Sequence, residues 1–113
     1  MKHVCMVCLA VAAAAACPAE AADKAETRAS LEAAIDEYRA CNRAAMEAVK
    51  DRERRSLGWK AVYAEGTCLH MLEPVNELML ELHVPDVTFY KIQSLRTTML
   101  RENMEQIHTP EMP

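Results

Sequence analysis

The sequence predicts an all-α protein, a small up-down-up bundle of three helices stapled by one disulfide. Three observations lead there. Good helix formers (Ala, Glu, Leu, Met and Arg) dominate, while 113 residues contain only two glycines and no Asn-Gly or Asp-Gly hairpin signal. Apolar residues recur three and four apart along three successive segments. Two cysteines, Cys41 and Cys68, fall on the apolar stripes of neighbouring segments.

The chain opens with a targeting pattern. Met1-Lys2-His3 is a short positive start, Val4 to Ala16 is an unbroken apolar run, and Pro18-Ala19-Glu20-Ala21 presents small residues for cleavage. This is the layout of a secretory signal peptide over residues 1–21, and the run falls short of the roughly 20 apolar residues that span a bilayer. The Cys5-Met6-Val7-Cys8 spacing belongs to the leader, because no βαβ setting for a redox site surrounds it. Ala14-Ala15-Ala16-Cys17 competes as a lipoprotein site that would make Cys17 a lipidated first residue; cleavage after Ala21 or Ala22 is preferred. Either route predicts an exported protein, periplasmic or secreted or else lipid-anchored in the envelope, with no transmembrane helix.

The bundle domain is expected over residues 22–107, with 108–113 a frayed tail. Without residues 1–21 the chain keeps 12 basic and 16 acidic residues, a balance that argues against duplex nucleic acid. Residues 23–56 carry eight of each sign, whereas residues 57–113 carry four basic and eight acidic.

In the first helix Leu31, Ala34, Tyr38, Cys41, Ala45 and Ala48 form one stripe, flanked by Ile35 and Val49, and pairs such as Glu47–Lys50 lie on the solvated side. In the second, Leu57, Ala61, Ala64, Cys68, Met71, Val75, Leu78 and Leu82 continue without a break, and Pro74 off the stripe is expected to kink or split it. Val84-Pro85-Asp86 ends that segment, with Asp86 as the next N-cap. In the third, Phe89, Ile92, Leu95, Met99, Leu100, Met104 and Ile107 share a face.

Cys41 and Cys68 are an even number of thiols in an oxidising compartment. An antiparallel hairpin paired at them must turn midway, beside Arg54-Arg55, where Ser56 is an N-cap and Leu57 opens the second stripe. A first helix running on to Leu57-Gly58 would slip the register by about six residues, or about 9 Å, more than a disulfide tolerates. The disulfide is the expectation, with two buried thiols as the alternative.

Candidate chemistry lies on the opposite face of the second helix, where Trp59, Tyr63, Gly66, His70, Glu73 and Glu77 share the same spacing. If the third helix covers Trp59 and Tyr63 they are core; if they stay at the surface, Trp59, Tyr63, His70, Glu73 and Glu77 form a strip suited to a protein partner. The alternative is a periplasmic metal-binding protein using His, Glu and Met ligands, from His70 with Glu73, Glu105 with His108, or His83 with methionine sulfur. Most methionines lie on core stripes, so no cofactor is expected. Phosphate-loop, nucleophile-elbow, zinc-protease and haem-attachment motifs are all missing, which predicts a non-catalytic protein.

The stretch "RRSLGWKAVYAEGTC" (54–68), followed by "SLRTTMLR" (94–101), resembles the later half of the LprI-type lysozyme-inhibitor family. The match carries onto Trp59, Tyr63, Cys68, Arg96, Thr97 and Leu100, under half the chain. Ala64-Glu65 stands where the family has Arg-Asp, the Trp-to-Cys distance is one residue longer, and the family's earlier Leu-Asn-x-x-Tyr segment and extra cysteines are missing. The resemblance implies an envelope protein that binds and does not catalyse.

Overall fold

The computed structural model describes residues 19–108, so the apolar leader, Cys17 and the tail beyond His108 lie outside the described residues. Four helices follow one another: α1 (Ala19–Val49), α2 (Leu57–Thr67), α3 (Leu72–Leu82) and α4 (Pro85–His108), with a 3₁₀ turn at Leu69–Met71 between α2 and α3. No strand occurs among the described residues, and no described helix is long and apolar enough to cross a membrane. The all-α class holds, but the three expected helices are four.

The second helix divides at Cys68–Met71, ahead of Pro74 and not at it. A proline inside a helix lacks the N–H for its own bond and clashes with the carbonyl four residues back. Restarting the helix at Leu72 places Pro74 in the first turn, where amide protons have no intrahelical acceptor anyway. The backbone N–H of Cys68 closes α2 by donating to Ala64 O and Glu65 O, both at 3.2 Å.

The hairpin forms as its spacing requires. α1 ends at Val49, and the Ser56 Oγ caps α2 by accepting from Trp59 N at 3.0 Å. Lys60, nearly buried, donates from Nζ to Lys50 O at 2.7 Å and so satisfies a carbonyl at the end of α1. Cys41 and Cys68 are joined in a disulfide with Cα atoms 5.9 Å apart.

Register fixes the helix directions. Lys60 reaches Lys50 and, eight residues on, Cys68 reaches back to Cys41, so α2 runs antiparallel to α1. Arg39 Nε donates to Glu102 Oε1 and Gln106 Nε2 to Arg43 O, both across 63 residues, so α4 runs parallel to α1. α1 packs against the other three helices, and α3 continues along it beyond α2.

Two faces differ from the expected stripes. The buried line of α1 drifts from Ala34 and Tyr38 onto Asn42, Met46 and Val49, leaving Ala48 exposed. An ideal helix turns every 3.6 residues, so steps of four hold contact only with partners that wrap around it. In α4 Ile92, Leu95 and Met99 of the expected face pack into the core, joined by buried Thr88 and Asn103, while Phe89 and Met104 face solvent. That helix begins at Pro85, which needs no N–H there, and Asp86 lies in its first turn instead of capping it.

Candidate functional site

The surface strip starts with an aromatic pair. Trp59 and Tyr63, one turn apart on α2, stack with ring centroids 5.0 Å apart and planes 14° from parallel. The Arg55 guanidinium lies 4.5 Å above the Trp59 ring and extends the stack to three planes. Tyr63 is 44 % exposed and Trp59 is half-buried.

The break after Thr67 divides the rest of the strip. His70 lies in the 3₁₀ turn, Glu73 and Glu77 on α3, and all three are exposed. The five named residues are therefore a discontinuous surface in which only Trp59 and Tyr63 touch. Between α2 and α4, Leu57, Arg101, Met104 and Glu105 line an open, mostly apolar groove of about 320 Å³. Among the described residues no three His, Cys, Asp or Glu side chains come together as metal ligands. Met46, Met79 and Met99 are buried in the core, where they fill space.

Beneath the strip lies a polar network that the apolar stripes do not reveal. Glu65, only 3 % exposed, accepts from Tyr38 OH at 3.0 Å and from Arg96 through two parallel bonds: Nε to Oε2 and Nη2 to Oε1, each 2.9 Å. This is the bidentate fork that suits guanidinium to carboxylate. One turn along α1, the buried Asn42 donates to Tyr38 O at 2.9 Å and accepts from Asn103 at 2.8 Å. Asn103 also contacts Ala61 O at 3.2 Å. These two clusters join α1, α2 and α4.

Reasoning from apolar spacing passed over Glu65, Asn42 and Asn103 because it counts only apolar residues. The available signal was polar: Asn42 continues the i, i+4 line from Tyr38, while Arg96 and Asn103 flank Met99 at seven-residue spacing.

Burial first, then the Glu65 charge, pushes the Tyr38 hydroxyl above the usual tyrosine value near 10. The folded state therefore holds this proton more tightly than the unfolded chain. Its contribution to stability is complete below about pH 10 and is lost as pH rises beyond it. Tyr38→Phe should flatten the fall in stability between roughly pH 9.5 and 11.5, measured by urea unfolding. Equal slopes in parent and variant would remove Tyr38 from the alkaline transition.

In comparisons with protein-family models, curated proteins and solved structures, none matches this chain, and no family is assigned to it.

Proposed function

We propose that this is an exported, non-catalytic helical protein that binds a protein partner in the cell envelope, in the manner of the LprI-type lysozyme inhibitors. The observation that carries the reading is the stacked Arg55–Trp59–Tyr63 ladder held at the surface of α2. Tryptophan, tyrosine and arginine are the side chains that most often dominate interface energies, and stacking removes much of their freedom before a partner arrives. Glu65 holds a carboxylate where the family has Asp, and it is paired with Arg96, itself a position of the resemblance.

The test is inhibition of lysozyme on a peptidoglycan suspension by the purified protein, beside the Trp59→Ala/Tyr63→Ala variant. Inhibition is expected, and the variant should weaken it at least about thirty-fold, since one interface hot spot contributes about 2 kcal/mol or more. Unchanged lysis at tens of micromolar protein would eliminate lysozyme as the partner. Equal potency of the two proteins would eliminate the aromatic strip.

A further inference from the structure

We propose that the corner between α3 and α4 rests in the surface of a lipid bilayer, at the end of the bundle from which α1 begins. Of nine large apolar residues exposed among the described residues, five (Leu80, Val84, Val87, Phe89 and Tyr90) fall within eleven positions at this corner. Val84 is 63 %, Phe89 58 % and Tyr90 71 % exposed, and the Phe89 and Tyr90 rings meet edge to face at 5.7 Å. Exposed apolar side chains gathered at one place often mark an interaction surface.

The parallel register places the corner beside the start of α1. α1 and α4 pair across 63 residues at both Arg39–Glu102 and Arg43–Gln106. Carried along the two axes, the same offset brings residues 85–90 level with residues 22–27, near the start of α1 at Ala19. The sequence immediately ahead of Ala19 contains Val4 to Ala16, wholly apolar, and then Cys17. The corner therefore lies at the end where α1 begins, the end that a lipid on Cys17 would tether, and the proposal rests on that alternative to cleavage after Ala21 or Ala22.

The chemistry of the corner fits neutral lipid. Its exposed charges, Glu81, Asp86 and Lys91 with Asp23, Lys24 and Glu26 at the start of α1, are of mixed sign, so no basic patch directs it to anionic headgroups. The exposed tyrosine suits the boundary between acyl chains and headgroups, and phenylalanine the acyl side of it. A second copy of the chain fits less well, because a stable interface engages about 20–30 residues a side and this tip offers five. Trp59 lies on α2, which pairs with the C-terminal half of α1, and so at the opposite end of that 31-residue helix. The placement leaves the aromatic strip facing away from the bilayer.

Two single-tryptophan proteins test this against phosphatidylcholine vesicles with brominated acyl chains. One is the native protein, reporting from Trp59; the other combines Trp59→Phe with Phe89→Trp. Lipid should quench the residue-89 reporter by about half and Trp59 by less than about a tenth, because bromine quenches only at near contact with the acyl region. Tyr90→Ser should lower the vesicle-bound fraction several-fold with unchanged far-UV circular dichroism. Absent quenching at residue 89 would overturn the proposal. So would dimerisation in lipid-free buffer that Tyr90→Ser abolishes, which would assign the corner to a second copy. Neither result bears on lysozyme inhibition, which reads the other end of the molecule.

Discussion

Replacing Glu65 with alanine is expected to destabilise the bundle by about 3–4 kcal/mol, a large fraction of the 5–15 kcal/mol typical of a domain. The carboxylate is 3 % exposed and is the shared acceptor of Tyr38 and Arg96. Without it Tyr38, fully buried, keeps a hydroxyl with no acceptor, which costs about 1–3 kcal/mol. Arg96 loses both bonds of its fork, but its side chain is 35 % exposed and recovers part of the loss through water. That exposure sets the estimate at the low end of the roughly 3–5 kcal/mol seen when a buried pair is broken. The measurement is urea unfolding of the parent, Glu65→Ala, Arg96→Ala and the double variant. A coupling energy above about 1 kcal/mol is expected, and strict additivity would show that the two residues do not act as a pair.

Removing the disulfide should have a similar effect through the opposite state. Joining Cys41 and Cys68 closes a loop with a sequence separation of 27, which restricts the unfolded chain by about 3.5 kcal/mol. Cys41→Ala/Cys68→Ala should therefore lower the melting temperature by roughly 15–25 °C, at roughly 4–8 °C per kcal/mol for a domain of this size. The two losses differ in signature. Freeing the unfolded chain exposes more surface and should raise the urea m-value, whereas Glu65→Ala acts on the folded state and leaves it unchanged. An unaltered m-value and a loss under 1 kcal/mol in the cysteine variant would show that the helices hold their pairing without the staple.

The parts legible in the sequence were local in their physics. The stripe through Leu57, Ala61, Ala64 and Cys68 needed only helical periodicity, and the turn before Ser56 followed from requiring Cys41 to meet Cys68. The break between α2 and α3 was not legible at its true place, because Cys68 to Met71 contains no glycine or proline. Pro74 signalled that a break was needed but not on which side, and a proline is tolerated within the three residues after a helix start. The inward faces of α1 and α4 were misplaced where polar residues hold them. Asn42 and Asn103 lie off the apolar stripes, and Asn103 donates to Asn42 across 61 residues in the core.

By itself the sequence determined the helical class, the hairpin and the covalent staple. Propensity, period and spacing act within a few residues or through one exact chain-length relation, so no partner surface is needed to read them. Only the tertiary structure decided which polar side chains are core and which aromatics are surface. A buried Glu65 is costly alone and stable with Arg96 and Tyr38 beside it, and those partners arrive from helices 31 residues later and 27 residues earlier. Trp59 and Tyr63 carry the opposite lesson: their size favours burial, yet Tyr63 stays exposed and Trp59 only half-buried, while Glu65 on the same helix is buried.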